Sequence, residues 1–135
     1  GSAVIMADDP EQKIRTGSNI ENSTYGATAC AERTGLTHCA ALGFRRLKYI
    51  AVSTADALER PLSERSPCGI CRQVIKEFTS TNRNIATDTA LILIDTADPA
   101  TLCEVFDIER LLPYGFNFAG PQQSSKHGSS RNNHE

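Results

Sequence analysis

Apolar residues along the chain fall into strand-like runs separated by polar, turn-forming segments. The run AVIM (3–6), the turn-like ADDPEQK and the alternating IRTGSNIE together predict a β-hairpin over 3–21. Two predominantly apolar runs, LKYIAVST (47–54) and ALILID (90–95), predict buried strands, and CEVF (103–106) predicts a shorter one. The chain therefore contains enough strand-forming sequence for a central sheet.

Two other segments have the composition or the spacing of helices. Residues 30–42 are dense in small side chains, and Gly43 is expected to end this helix. Gly35 within it costs about 1 kcal/mol relative to alanine, so we expect its backbone to pack closely against a neighbouring element. The apolar residues of CGICRQVIKEF (68–78) follow helical spacing, namely Ile70, Val74, Ile75 and Phe78.

The order of these elements predicts an α/β fold. Strands alternate with helices, and the central strands are apolar throughout, which indicates a mixed sheet with helices packed on it. A polar loop is expected between the first long strand and Pro67, and a short helix with Asp107 as its N-cap follows the last strand. From Pro121 onward the sequence is polar and of low complexity, so we expect one folded domain over 1–120 and a disordered tail over 121–135.

Composition narrows the classes of function. A chain of 135 residues is long enough for one domain with a real core. Its net charge of -2 and pI of about 5.9 argue against nucleic acid as the main partner. No apolar run approaches the ~20 residues needed to cross a bilayer, and no secretory leader pattern is present. We therefore expect a soluble protein of the cytoplasm, with the nucleus as a further compartment.

The five cysteines are the strongest chemical signal in the sequence. An odd number argues against a disulfide framework, and in a reducing compartment cysteines more often bind metals, act in catalysis or stay buried. Cys68 and Cys71 lie three apart at a helix start, so both sulfurs lie on nearly one face, where the helix N-terminus favours thiolates. Such a pair alone is also typical of a redox site or of half of a structural zinc site.

A structural zinc site needs four protein ligands, and the sequence offers no good fourth one. His38 and Cys39 lie too far from Cys30, since eight residues of continuous helix span about 12 Å. The other histidines fall in the predicted tail, and Cys103 lies in a strand, where a buried thiol is the commoner outcome. Three ligands and one open position, the arrangement of catalytic zinc sites, therefore remain: Cys30, Cys68 and Cys71.

Glu32 completes this interpretation. It lies two residues after Cys30, a spacing that turns its side chain about 200° away from the ligand on a helix. It can instead approach the open position of the metal from another side, where a carboxylate can accept and return protons. On its own, Glu32 would be an ordinary first-turn glutamate favoured by the helix dipole. The cysteines around it favour the catalytic role.

These motifs resemble those of the zinc-dependent nucleobase deaminases, in which a cysteine or histidine precedes a glutamate by two positions and Pro-Cys-x-x-Cys follows. The strings NIENSTYG, CAERTG, SPCGICRQ and LLPYGF are similar to the small homotetrameric cytidine deaminases that act on free nucleosides, over about residues 1–118. The resemblance implies a three-layer α/β/α sandwich around a mixed five-stranded sheet. It also implies hydrolysis of cytidine or 2′-deoxycytidine to the uridine product and ammonia.

The resemblance carries site roles to individual residues. It implies one Zn²⁺ per chain on Cys30, Cys68 and Cys71, with Glu32 as the proton shuttle. In relatives with three cysteine ligands, the arginine that matches Arg33 donates hydrogen bonds to ligand sulfurs, which offsets their excess negative charge. A solvated helix arginine is the alternative for that residue.

The resemblance also implies a set of substrate contacts. Asn19 and Glu21 share the parity of an extended segment, and in the family this pair holds the ribose. Tyr25 and Phe116 match positions that border the site across subunit contacts, although packing in the core is an alternative for both. The complete set of implied substrate-binding residues is Asn19, Glu21, Tyr25, Ala31 and Phe116.

Assembly and completeness follow from the same resemblance. It implies a homotetramer whose active sites lie at subunit interfaces, with Phe116 capping a neighbour's pocket. The family has an N-terminal helix and a phenylalanine-x-valine-glycine stretch before the first strand. This sequence begins at or just after that stretch, so we expect the helix and one pocket wall to be absent from the chain.

Other functions stay open at the level of the sequence. One is deamination of a different cytosine compound such as a nucleoside antibiotic, against which the ribose pair Asn19 and Glu21 argues. A second is a catalytically silent, zinc-binding assembly protein, which the missing N-terminal helix would favour. A third is a polynucleotide-editing deaminase, which the acidic pI disfavours.

Overall fold

The structure is a computed structural model that describes residues 1–55, 60–81, 84–85, 89–98 and 103–116. The predicted tail, with His127 and His134, lies outside the described residues, so the boundary between domain and tail stays a prediction. No helix in the described part of the chain is long and apolar enough to cross a membrane.

The described residues form seven strands, three α-helices and two short 3-10 helices. In chain order the strands and α-helices are β1 (Ser2–Met6), β2 (Arg15–Gly17), α1 (Ala31–Ala41), β3 (Leu47–Thr54), α2 (Gly69–Thr79), β4 (Ser80–Thr81), β5 (Asn84–Ile85), β6 (Ala90–Asp95), β7 (Cys103–Phe106) and α3 (Ile108–Leu111). The 3-10 helices are Tyr25–Ala27 and Leu62–Arg65.

Five strands form the main sheet, in the order β2-β1-β3-β6-β7. Strands β3 and β6 are parallel, whereas every other neighbouring pair in this sheet is antiparallel. Parallel neighbours need a crossover connection, and α2 lies in the segment between β3 and β6. The predicted α/β fold with a mixed five-stranded sheet is confirmed.

One face of this sheet forms the core. Cross-strand register places Val4 beside Ile50 and Ile50 beside Leu91, and all three are fully or almost fully buried. They pack with Leu36 of α1 and Ile75 of α2, so both helices cover this face. Within the described residues the helices contribute to this one core, so the second helical layer of the expected sandwich stays a prediction.

The β-hairpin is shorter than the sequence predicted. Strand pairing within the hairpin joins only Ser2–Val4 to Arg15–Gly17, because Asp9 folds the connection back on itself. Its carboxylate accepts hydrogen bonds from the backbone N–H groups of Glu11 and Lys13, and it forms an ion pair with Arg15. Of the predicted alternation over 14–21, only Arg15–Gly17 pairs within the hairpin, and Ile20 instead forms an isolated bridge with Ala29.

Two other predictions change in detail near the second helix. The predicted polar loop before Pro67 contains a 3-10 helix, because its apolar Leu62 is buried in the core at 4% exposure. Cys68 precedes the first residue of α2 and is not part of its first turn, although its carbonyl accepts a hydrogen bond from the Arg72 backbone N–H at 2.9 Å.

The predicted helix ends are confirmed. Helix α1 ends with Leu42 as C-cap, and Gly43 follows with φ +96°, a left-handed conformation that glycine adopts at little cost. Asp107 caps α3, and its side chain accepts a hydrogen bond from the Arg110 backbone N–H at 2.8 Å.

Candidate metal centre

Helix α1 brings Cys30 and Glu32 to the site. Cys30 is the N-cap residue of the helix, and Glu32 lies in its first turn at 7% exposure. The helix approaches the hairpin closely, since a Cβ atom added to Gly17 would lie 2.3 Å from the carbonyl oxygen of Ala31 and 2.4 Å from the backbone nitrogen of Gly35. The predicted close packing of Gly35 is thus confirmed, and it fixes where α1 begins.

Helix α2 brings the other two cysteines. Pro67 is buried just before the helix, Cys68 is exposed, and Cys71 is fully buried. The buried face of α2 also carries Ile75, which packs in the core and holds this end of the helix against α1 and β3. The site therefore lies where the N-terminal ends of two helices meet.

The structure brings together the three cysteines that the sequence singled out. The sulfur atoms of Cys30, Cys68 and Cys71 all lie within 4.8 Å of one another, and those of Cys30 and Cys68 are 4.0 Å apart. Cys30 and Cys68 are 38 positions apart in sequence, so their approach is a result of the tertiary fold. Three thiolates that converge in this way are a donor set suited to zinc.

The thiols have unequal acidities because their surroundings differ. Burial, followed by the negative charge of Glu32, raises the pKa of the Cys71 thiol far above its usual range. For Cys68, burial acts to raise the pKa, but hydrogen bonds from the Cys71 backbone N–H and the neighbouring thiols outweigh it, and the pKa is lowered. A divalent cation favours thiolates at all its ligands and reverses the penalty at Cys71.

Arg33 lies against the same cluster. Its Nη2 donates a 2.5 Å hydrogen bond to the Thr28 carbonyl, whereas its Nε is buried without a hydrogen-bond partner. The Cys30 sulfur, and more weakly that of Cys71, raises the pKa of the guanidinium. A cation beside three thiols reduces their mutual repulsion, so the surroundings of the cluster fit a site that holds excess thiolate charge.

The segment with Asn19 and Glu21 lies next to the cysteine cluster. An isolated antiparallel bridge joins Ile20 to Ala29, with backbone hydrogen bonds of 2.8 and 3.0 Å, and Ala29 immediately precedes Cys30. The Asn19 amide donates a 2.8 Å hydrogen bond to the Glu21 carboxylate, and both side chains are exposed. The predicted pair is therefore assembled and free to contact a molecule at the site.

The other predicted substrate contacts differ in exposure. Tyr25 lies in the first 3-10 helix at 90% exposure and Phe116 is 68% exposed, so core packing within the chain is wrong for both. Ala31 is 5% exposed, and its carbonyl accepts hydrogen bonds from the hydroxyls of Ser2 and Thr34. Any contact of Ala31 with a ligand is therefore confined to its remaining backbone or methyl surface.

Two of the residues excluded as ligands, His38 and Cys39, are not part of the cysteine cluster. His38 is exposed near the end of α1, and Cys39 is fully buried in the core, where burial raises the pKa of its thiol. Cys103 begins β7, as the sequence predicted, but its side chain lies outside what the structure describes. These positions agree with a site of three cysteine ligands.

Sequence reasoning gave no role to Arg72 and Gln73, which directly follow Cys71. Their side chains bind carbonyl oxygens of Leu111 and Phe116, at the far end of the described chain. The available signal was their position, since polar residues next to a metal ligand often hold it in place. Their partners are too distant in sequence for a local pattern to reveal.

Comparison with known proteins agrees with this geometry. The family described as "Cytidine and deoxycytidylate deaminase zinc-binding region" matches residues 2–87, a range that includes all three clustered cysteines and Glu32. A cytidine deaminase of Sporosarcina psychrophila is 49% identical over 76 residues, which cover 56% of this chain and 51% of that protein. One from Mycoplasma genitalium is 34% identical over 100 residues, covering 74% of this chain and 67% of that protein.

Solved structures give the same result. The crystal structure of a cytidine deaminase from Burkholderia pseudomallei matches with a TM-score of 0.66 and 30% identity, over 85% of this chain and 79% of the other. That of the Mycobacterium tuberculosis cytidine deaminase matches with a TM-score of 0.56 and 26% identity, over 87% and 77%.

The chain matches only part of the length of some of these relatives. The chain spans about half the length of the first curated relatives it matches, with 51%, 42% and 53% of their sequences. The predicted resemblance and the predicted zinc cofactor are both confirmed by the family match and the cysteine cluster. The chain belongs to the cytidine and deoxycytidylate deaminase family, through the zinc-binding region that contains its cysteine cluster.

Proposed function

We propose that this protein is a zinc-dependent hydrolase that converts cytidine or 2′-deoxycytidine and water to the uridine product and ammonia. One observation carries the proposal: a buried carboxylate, Glu32, lies beside three thiols that fall within 4.8 Å of one another. A redox pair needs only two thiols, and a structural zinc site has no use for an acid–base group. We assign the activity to residues 1–120, with 121–135 as a tail, and its role to pyrimidine salvage in the cytoplasm.

The three cysteines are assigned to the metal. Cys30, Cys68 and Cys71 would hold the zinc ion, which when bound supplies Lewis acidity for the activation of water. Three thiolates weaken that acidity by their negative charge, and Arg33 reduces this effect through its cation. The raised pKa of the Arg33 guanidinium beside Cys30 supports this role.

Glu32 is assigned to proton transfer. Its carboxylate takes a proton from the attacking water and delivers it to N3 of the cytosine ring. It then carries the second proton of that water to the exocyclic amino group, which leaves as ammonia while oxygen stays on C4. Its burial supports this role, because a proton carrier works best where bulk water does not compete with it.

The sugar is assigned to the Asn19–Glu21 pair. An amide and a carboxylate offer both a donor and acceptors, which suits two neighbouring hydroxyl groups. The bridge between Ile20 and Ala29 supports this assignment, because it ties the pair to the residue that precedes Cys30. Tyr25 and Ala31 are assigned to the rim of the same pocket.

We further propose a homotetramer in which a neighbouring chain completes each site. Exposed aromatic residues support this proposal, since Tyr25, Tyr114 and Phe116 are all more than two-thirds exposed in the isolated chain. Aromatic residues of this kind often anchor interfaces, and a dry pocket needs more covering surface than this chain supplies. Phe116 would cap the pocket of a neighbour.

The test of the activity is the change Glu32→Gln. Turnover of cytidine, followed by ultraviolet absorbance, should fall by roughly 10²–10⁴-fold, the usual contribution of general acid–base catalysis, while zinc content is unchanged. Glu64→Gln, an exposed glutamate of the second 3-10 helix, is the matched control. A near-normal rate in Glu32→Gln would remove the proton carrier from the proposal.

Two further measurements test the metal and the assembly. A Cys68→Ser/Cys71→Ser double variant should lose stoichiometric zinc, and retention of the metal would contradict the ligand assignment.

Light scattering should give the mass of four chains, and Phe116→Ala should raise KM. A fully active monomer would contradict the shared site.

A further inference from the structure

One side of α2 is fastened by polar side chains to the segment that begins with α3. Arg72 donates to the Leu111 carbonyl at 2.9 Å, and Gln73 donates to the Phe116 carbonyl at 2.8 Å. One turn further along, Lys76 is buried at 5% exposure and forms a 2.8 Å ion pair with Glu109. Helix α2 thus has two of the cluster cysteines in or just before its first turn and holds the Ile108–Phe116 segment along its side.

Arg72 differs from the other two because it also reaches the loop that carries Cys68. Its Nε donates to the Pro67 carbonyl and its Nη2 to the Ser66 hydroxyl, both at 2.7 Å. Its backbone N–H donates to the Cys68 carbonyl at 2.9 Å. The same residue therefore holds the backbone on both sides of this cysteine.

Cys68 has more need of such support than the other cluster cysteines. It is exposed, whereas Cys71 is fully buried and Cys30 is half-buried. It also precedes the first residue of α2, so helical hydrogen bonding fixes its backbone only through its carbonyl. Its sulfur accepts hydrogen bonds from backbone N–H groups at the start of α2, but burial does not hold it, so its orientation depends on where the backbone around Cys68 is placed.

We propose that Arg72 is a positioning residue that orients Cys68 toward the metal and couples it to the segment ending at Phe116. The inference rests on the proposed function, since it assumes that the cysteine cluster holds a metal. The planar guanidinium has donors in several fixed directions and can serve Pro67, Ser66 and Leu111 together. A lysine ammonium at this position keeps the charge but cannot span the three acceptors.

The contacts of Arg72 and Gln73 show how the cysteine loop is coupled to the Ile108–Phe116 segment. Leu111 and Phe116 are bound by consecutive residues of α2, so a displacement of the cysteine loop also moves one of the two anchors of that segment. The Phe116 backbone is anchored while its ring is 68% exposed. Arg72 thus relates the geometry of the metal site to the placement of an exposed aromatic ring.

The test is Arg72→Lys, measured by zinc release and by cobalt spectroscopy. Outer contacts of metal ligands typically change metal affinity by about 10–100-fold, so release to a chromophoric chelator should be at least ~10-fold faster. The Co²⁺-substituted variant should show a changed thiolate charge-transfer band, which reports the geometry at the sulfurs. Arg110→Lys is the matched control, since that arginine lies over the Phe106 ring and donates to neither Ser66 nor Pro67.

A second pair of variants separates positioning from docking of α3. Glu109→Gln weakens the contact of α3 with Lys76 but leaves all bonds of Arg72 intact, and we expect wild-type zinc release from it. Ser66→Ala removes one acceptor of Arg72 and should accelerate release in the same direction but less. It serves as the milder variant if Arg72→Lys fails to fold.

The outcomes distinguish the two proposals. A wild-type protein that does not retain zinc overturns the proposed function and this inference together. If the wild type retains zinc and both Arg72→Lys and Ser66→Ala release it at the wild-type rate, only the positioning role is overturned. Equal acceleration by Glu109→Gln would also overturn it, because the effect would then belong to α3 docking.

Discussion

Helices α1 and α2 are both 11 residues long and both begin at the cysteine cluster, yet different contacts hold them in place. Helix α1 is held by close approach of backbones, at Gly17 and Gly35, and by the Ser2 hydroxyl bound to the Ala31 carbonyl at 2.8 Å. Helix α2 is held by long polar side chains that bind carbonyl oxygens and a carboxylate.

These two kinds of contact make the α1 side of the site more rigid than the α2 side. No side-chain atom fits between Gly17 and α1, because a Cβ there would lie within 3 Å of backbone atoms of the helix, so the position of Cys30 and Glu32 is fixed with the fold itself. Side-chain hydrogen bonds can lengthen or exchange partners at a modest net cost of about 0.5–1.5 kcal/mol each. The fold therefore fixes Glu32, the proposed acid–base group, more firmly than it fixes Cys68, the exposed residue among the proposed ligands.

The largest expected effect is on the α1 side, from Gly17→Ala. The added Cβ would lie 2.3 and 2.4 Å from backbone atoms of α1, which cannot rotate away as a side chain can. We expect the free energy of unfolding to fall by more than about 4 kcal/mol, the exceptional range for one substitution, or the chain not to fold. Denaturant unfolding measures this.

Gly26→Ala is the control for that experiment, because no atom lies within 4 Å of its added Cβ. Its stability should stay near that of the wild type. A Gly17→Ala protein of wild-type stability would show that α1 can shift away from the hairpin, and the comparison of the two helices would fail.

A smaller and equal loss is expected from Leu36→Ala and Ile75→Ala. Leu36 of α1 and Ile75 of α2 are at most 1% exposed and pack in the same core, so each truncation should cost about 3 kcal/mol. Leu42→Ala, at a residue 52% exposed, should cost less than about 0.5 kcal/mol. Equal losses of stability would show that burial of apolar side chains holds both helices to the same extent. Strongly unequal losses would contradict this.

The loss of the α3 cap should be smaller again. Asp107→Ala removes the hydrogen bond to the Arg110 backbone N–H and should lower the free energy of unfolding by about 1 kcal/mol. Because α3 contacts α2, amide exchange should increase in α3 and in α2 but not in α1. Glu104→Ala in β7 is the control, and faster exchange in α1 would argue against separate supports.

The smallest effect is a dependence on pH, at the ion pair between Asp95 of β6 and Arg65 of the second 3-10 helix. The Ala97 backbone N–H and then the Arg65 guanidinium lower the pKa of Asp95 from its usual 3.8, so the folded state favours the carboxylate. This contribution is complete above pH 3.8 and is lost as the pH falls through the lowered value. The stability gap between the wild type and Asp95→Asn should therefore narrow below about pH 4 in acid titrations. A gap independent of pH would contradict the assignment.

Much of the fold could be predicted from the sequence, because strand runs, helix ends and helix caps depend on residues that are close together along the chain. The runs at 47–54 and 90–95, the end of α1 at Gly43 and the cap at Asp107 form where they were predicted. Each depends on the residue itself or on its near neighbours. The prediction that Gly35 meets another element is of the same kind.

The rest depends on contacts between distant segments. The hairpin was predicted from its local pattern, but the approach of Gly17 to Ala31 and Gly35 depends on how the hairpin packs against α1, which no local pattern reports. The side-chain partners of Arg72 lie 5, 6 and 39 positions away, and its role in joining such separate segments was not predicted. For the site, residue types and spacing suffice to select the three cysteines, because the chemistry of a catalytic zinc site restricts the choice.

The two outer strands of the main sheet are very short, three residues in β2 and four in β7. An outer strand exposes unpaired backbone groups that can template the addition of a strand from another molecule. In β2, Arg15 forms an ion pair with Asp9, and the carbon of its guanidinium lies 4.8 Å from the centre of the Phe44 ring. In β7, Glu104 carries an exposed charge. Short, charged borders of this kind disfavour fibre-like growth of the sheet.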